Sequence, residues 1–298
     1  MTTGSGPTAT KRAIVFQAAF LLAVSGVLGW RPLMRTLELA LSDEAYTHIL
    51  LILPLSCALL YLERNLSGRA LAPGVGSGVA WLVVALLVGG FARWGPVGIS
   101  DDIRLSLSML ALVIWWIGSF IFCLGRQTFQ VLLFPVCFLF WIVPLPVVVL
   151  DEVVYFLQNQ SAFAARIMFI AVGVPATQDG VMLSIPNLDI EVARECSSIR
   201  SSMLLVITTM ILAHLFLRSW WRKALLVAAA IPLAAIKNGL RIFTITELGT
   251  RVDPGFFDGN LHHRGGILFL AVALAMMGVL LWGLRRTETV TVKATSLN

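Results

Sequence analysis

The chain has 298 residues, a mean hydropathy of +0.88 and only 13% charged residues, against roughly 25% in a soluble domain. That balance excludes a water-soluble globular protein and fits one transmembrane domain over residues 1–298, with short polar tails at 1–12 and 287–298. The net charge of +6 comes without a basic stripe interleaved with aromatics, which argues against nucleic acid as a partner and leaves membrane lipid as the surrounding phase.

Hydropathy and breakers predict an all-α, polytopic integral membrane bundle of about eight helices, each near the ~20 residues that cross a bilayer. The spans fall at 13–30, 47–63, 75–93, 103–124, 128–150, 196–217, 223–246 and 265–284. The first lacks a small-residue cleavage site and reads as an anchor. Between the fifth and sixth lies a mixed segment, 151–195. Its first part, 153–174, carries Gln158, Asn159, Gln160, Ser161 and Arg166 among apolar residues. It reads as an amphipathic helix in the interface, or as a partly inserted one. Its second part, 175–194, alternates and contains Pro175, Gly180 and Pro186, which predicts extended or hairpin-like chain.

Basic residues orient the bundle. Lys11/Arg12, Arg64/Arg69, Arg126, Arg218/Arg222/Lys223, Arg285/Arg286 and Lys293 fall on one side of the predicted spans. They are 11 of the 22 Lys+Arg, and the positive-inside rule makes that side cytoplasmic. Of the other 11, Arg200, Lys237, Arg241 and Arg264 lie within or beside spans six to eight, which leaves 7 in the outer loops. The protein is thereby expected in the inner (plasma) membrane, with the starts of spans six and eight and the end of span seven on the extracytoplasmic side.

Those ends carry reactive groups. Cys57, Cys123 and Cys137 sit inside apolar runs, where a thiol behaves as a small hydrophobe. Cys196 differs: it lies between Glu195 and Ser197-Ser198 at the predicted start of an apolar helix. A helix N-terminus favours a thiolate, and Arg200 stands at i+4 on the same predicted face. The bland alternative is a helix cap beside a buried cysteine. Arg241 lies about five residues inside span seven, where a basic residue costs about 2.5–3.5 kcal/mol on insertion scales. Lys237 at i−4 and Asn238 at i−3 share its side of the helix. Snorkelling to headgroups would account for one such residue; three on one face favour a protein-lined polar pocket. His262 and His263 precede Gly265-Gly266 at the start of span eight, and imidazole titrates where proton transfer near neutral pH needs it. Their adjacency is not metal-ligand spacing, no metal or phosphate-binding motif accompanies them, and no cofactor is called for.

Several stretches together resemble the exosortase/archaeosortase family. Asp43-Glu44-Ala45-Tyr46-Thr47-His48, running into Ile52-Leu53-Pro54, is similar to its D-x-x-Y-S-H-G-x-L-x-x-P stretch, with Thr47 for Ser and Ile49 for Gly. Phe134-Pro135 with Ile142-Val143-Pro144-Leu145-Pro146 resembles FP…IPLP, and Leu157-Gln158 through Gly173-Val174-Pro175 resembles LQ…GVP. Glu195 to Arg200 resembles the nucleophile motif C-S-G-[IL]-R, with Ser198 for Gly. Asn238-Gly239-Leu240-Arg241-Ile242 matches N-x-x-R-[IV], and His262 with Gly266 matches H-x-x-x-G. The resemblance implies about eight transmembrane helices and an outward Cys-Arg-His site made of Cys196, Arg241 and His262, with His263 the alternative histidine. It implies cleavage of C-terminal sorting signals of exported proteins: a short motif such as Pro-Glu-Pro, one transmembrane helix and a basic tail. Two other readings stay open: an intramembrane protease that only hydrolyses, and an envelope polysaccharide polymerase or flippase without cysteine catalysis.

Overall fold

The structure, a computed structural model, describes residues 7–63, 73–96, 98–192, 199–256 and 266–295. Among the described residues, seven helices are long and apolar enough to cross a membrane, or eight when Leu133–Ile142 and Val147–Ala171 count as one broken span. The all-α polytopic bundle is therefore observed. Its chain forms two compact units, Met1–Val147 and Val148–Asn298.

The first unit contains α1 (Pro7–Ser42), α2 (Ile49–Glu63), α3 (Val75–Trp94) and α4 (Asp101–Leu124), followed by two short helices, α5 (Arg126–Val131) and α6 (Leu133–Cys137). α1 is longer than the predicted span 13–30. Its 36 residues rise about 54 Å, and the helix continues through Arg31-Pro32 to Ser42. α3 and α4 pack closely because Gly78 has no Cβ; one placed there would stand 2.6 Å from Phe122 Cα.

The predicted fifth span, 128–150, is not one helix. α5 and α6 lead into a 3-10 turn, Phe138–Ile142, and Pro144-Leu145-Pro146 ends it. Proline cannot donate to a helical ladder, and side chains satisfy carbonyls around these breaks. Ser56 Oγ donates to Pro135 O (2.7 Å), Tyr46 OH to Leu145 O (2.8 Å) and Ser106 Oγ to Pro144 O (2.7 Å). Asp102 Oδ2 accepts from Val147 N at 2.8 Å. The Asp43–His48 stretch thus has a structural task. Asp43 caps a 3-10 turn at Glu44–Tyr46 through Ala45 N, Tyr46 bonds the Leu145 carbonyl, and buried His48 stands edge-on to Trp141.

In the second unit α7 (Val147–Ala171) starts six residues before the amphipathic segment predicted at 153–174. The predicted hairpin is a three-stranded antiparallel sheet, β1 (Thr177–Asp179), β2 (Met182–Ile185) and β3 (Leu188–Glu191), ordered β1-β2-β3. Thr177 pairs with Ser184, and Ile185 pairs with Leu188 across the tight Pro186-Asn187 turn, where Asn187 takes φ 64°. Three long helices follow: α8 (Ile199–Phe216), α9 (Trp220–Arg251) and α10 (Gly266–Thr295). Leu205, Ala234 and Ala273 join them in one buried cluster, and Ala213, Leu217, Leu226, Ala230 and Met277 form another. α1 and α10 both run into segments read from sequence as tails. For α10 the cause is visible: Glu288 is buried and accepts from Arg218 N and Ser219 N, the latter at 2.7 Å, and its carboxylate lies 3.5 Å from Arg222 Nη1.

Candidate functional site

α9 carries the polar groups. Ala230, Ala234, Lys237, Asn238, Arg241, Ile242, Ile245 and Gly249 are buried on it, a spacing of three and four that marks one helical stripe. Lys237 is 3% exposed, Asn238 0% and Arg241 8%. Snorkelling is thereby ruled out for these side chains. α9 runs on to Arg251, ten residues past Arg241 and beyond the predicted span end at 246.

Burying two cations one turn apart is unfavourable unless each is hydrogen-bonded. Lys237 Nζ donates to Ser201 Oγ on the first turn of α8. Ser202 is 3% exposed, and its hydroxyl has no hydrogen-bond partner among the described residues. Lysine, arginine and the asparagine amide together present mostly donors. Such a set stabilises an anion: a thiolate, a carboxylate or the oxyanion of a tetrahedral intermediate.

A second set of contacts fixes α7 and the sheet on this part of α9. At Gly239 an added Cβ would stand 2.6 Å from Ala164 Cβ and 2.9 Å from Ala165 N, so only glycine allows that approach. Phe169 meets Phe243 edge-on, with centroids 5.0 Å apart. Ala162, Ala165, Phe169, Leu183, Val192 and Ile242 share one buried cluster. Gln158 Nε2 donates to Val192 O at 2.5 Å and Gln178 Nε2 to Asn159 Oδ1 at 2.7 Å, tying the sheet to α7.

Segment 193–198 is thus bracketed. Val192, just before it, packs with Ile242, and Ser201, just after it, bonds Lys237. Both ends converge on one stretch of α9, residues 237–242. Cys196 and Glu195, with His262 and His263, lie outside the described residues. Of the other expected site residues, Lys237, Asn238 and Arg241 come together in the buried stripe, whereas Arg200 is exposed at the start of α8. Of the remaining cysteines, Cys123 is buried, but Cys57 is exposed and Cys137 intermediate, so the small-hydrophobe reading suits Cys123 best.

Sequence reasoning missed Ser201 and Ser202, and named Gly239 and Gln158 without their tasks. The first two were legible only as hydroxyls on a predicted helix. Gly239 was inside the N-x-x-R motif, but its reason is a contact with α7, far away in sequence.

No curated protein and no solved structure matches the chain. The model of the transmembrane exosortase family (Exosortase_EpsH) matches residues 30–279. That match runs from Trp30 in α1 into the first half of α10, and includes every motif noted above, so the chain belongs to the transmembrane exosortases, multi-pass membrane sorting enzymes of the peptidase or transpeptidase kind.

Proposed function

We propose that this protein is a cysteine peptidase or transpeptidase of the inner membrane. It removes C-terminal sorting signals, of the Pro-Glu-Pro kind followed by a transmembrane helix and a basic tail, from exported proteins on the extracytoplasmic side. The observation that supports this most is that Val192 shares an apolar cluster with Ile242 while Ser201 bonds Lys237, so both flanks of segment 193–198 meet the stretch of α9 that carries the buried Lys237, Asn238 and Arg241. The donors on that stretch suit the carbonyl chemistry of the thiol that the segment carries.

The steps follow from the side chains. Cys196 Sγ, as thiolate, bonds to the scissile carbonyl carbon, and the carbonyl electron pair moves to oxygen. Arg241 donates to that oxyanion. As the oxyanion re-forms the carbonyl, the C–N bond breaks, and the proton taken from the thiol by His262, or by its neighbour His263, passes to the leaving amine. The thioester is then attacked by an amine (transfer) or by water (hydrolysis), and the acceptor's proton returns through the histidine to the thiolate. Lys237, hydrogen-bonded to Ser201, holds the start of α8 against α9 and adds positive charge.

The test is accumulation of uncleaved substrate in membranes. Cys196→Ala abolishes processing, and Cys196→Ser leaves almost none, because a hydroxyl is a poor nucleophile at its free pKa. Full processing by Cys196→Ala refutes the cysteine mechanism. Product mass separates transfer from hydrolysis.

A further inference from the structure

Seven arginines lie outside both the basic short loops and the α8–α10 cluster: Arg31, Arg35, Arg93, Arg104, Arg166, Arg194 and Arg251. They are the residues that spoil the charge asymmetry of the chain. Four of them, Arg31, Arg35, Arg93 and Arg104, line a single cavity of about 510 Å³ in the first unit, between α1, α3 and α4.

The four are not equivalent. Arg104 is used by the fold: it donates to the carbonyls of Ala92 (3.0 Å), Pro96 (2.9 Å), Ile99 (3.2 Å) and Gly95 (3.5 Å), and so ties the α3–α4 connection together. Arg31 and Arg35, one turn apart on α1, and Arg93, in the last turn of α3, are exposed at the cavity. One carboxylate, Asp101, also lines it, so cationic groups prevail. One to two turns from the arginines the lining becomes apolar. Leu28 and Leu86 there are 63% and 55% exposed. These leucines belong to spans of which only 17% is buried inside the protein, so this wall faces hydrocarbon.

A cationic mouth above an apolar, lipid-facing wall is complementary to an anionic amphiphile and to neither a soluble anion nor a neutral lipid. We propose that this cavity binds an anionic glycerophospholipid, with its phosphate held between Arg31, Arg35 and Arg93 and its acyl chains laid along Leu28 and Leu86. The proposal uses none of the residues of the cysteine chemistry and stands whether or not that mechanism holds.

The experiment is native mass spectrometry of the full chain in neutral detergent, titrated with phosphatidylglycerol and phosphatidylcholine of equal chain length. The wild type binds phosphatidylglycerol about tenfold tighter or more, because both lipids offer a phosphate but only phosphatidylcholine adds a cation that the arginines repel, and millimolar inorganic phosphate does not displace it. The triple variant Arg31→Gln/Arg35→Gln/Arg93→Gln loses the preference, while Arg285→Gln/Arg286→Gln, which removes two exposed cations elsewhere, keeps it. The single variants Arg31→Gln and Arg93→Gln each lose part of it and serve if the triple variant does not fold. Equal binding of the two lipids by the wild type overturns the proposal. So does a preference that survives in the arginine variants, one that is lost equally in the Arg285/Arg286 control, or displacement by free phosphate or by an acidic peptide.

Discussion

At residue scale, Arg241 and Gly239 show how one turn of α9 serves two purposes. Arg241 is buried beside Lys237 and Asn238, where its planar fork can give two hydrogen bonds to one oxyanion or carboxylate. Lysine keeps the charge and loses the fork. Arg241→Lys is therefore expected to lower processing by about a hundredfold or more, the range for losing an oxyanion donor, measured as uncleaved substrate in membranes. A mild effect would move the anion-stabilising role to Lys237 or Arg200, of which Lys237 is buried and Arg200 exposed. Gly239→Ala places a methyl group 2.6 Å from Ala164 Cβ and 2.9 Å from the Ala165 backbone nitrogen. Backbone cannot move aside as a side-chain tip can, so overpacking of about 1–3 kcal/mol is expected. It would appear as a lower melting temperature in detergent; unchanged melting would show that α7 and α9 are not held at this distance. The polar character of this turn was legible in the sequence from three polar residues inside an apolar run. The partner of Lys237 was not, since Ser201 looks like any other hydroxyl on a helix.

At the scale of elements, prolines and carboxylates decide where helices begin and stop. α9 starts at Trp220 without a side-chain cap from Ser219; Glu288 of α10 accepts from the Arg218 and Ser219 amides instead. A buried carboxylate on the unpaired amides of a helix start satisfies them and complements the helix dipole. Glu288→Ala is expected to destabilise the second unit by about 1–3 kcal/mol, the cost of leaving buried polar groups unsatisfied. Thermal unfolding of purified protein checks it, and a melting curve identical to wild type would show the cap to be dispensable. The break in the fifth span has the same logic. Tyr46 OH satisfies the Leu145 carbonyl between two prolines, so Tyr46→Phe is expected to cost about 1 kcal/mol in the same assay. Hydropathy read 128–150 as one span because it averages over a window. Pro135, Pro144 and Pro146 were visible, but which carbonyls they leave unpaired, and which hydroxyls answer them, depends on chain 38 to 99 residues away.

At the scale of the whole molecule, the orientation we propose puts both termini in the cytoplasm and residues 151–195 and 247–262 outside. Reporter fusions after Arg218 and at the C-terminus should report the cytoplasm, and a fusion within 175–194 the exterior; an exterior signal after Arg218 would reverse the bundle and the side of the chemistry. The sequence by itself determined that the protein is a helical membrane bundle, close to where each span lies, and which motifs carry reactive groups. Transfer into lipid is judged residue by residue over about 20 positions, so that information is local. Only the tertiary structure decided that α1 and α10 continue past their predicted ends, that the fifth span breaks, and that the chain enters and leaves segment 193–198 against residues 237–242 of α9. Those outcomes rest on pairs such as Lys237–Ser201, 36 residues apart, and Ser219–Glu288, 69 apart. Apolar helices can pack in many ways at similar cost in lipid, so the packing that wins is the one that satisfies their few buried polar groups, and the partners of those groups lie far off in the chain.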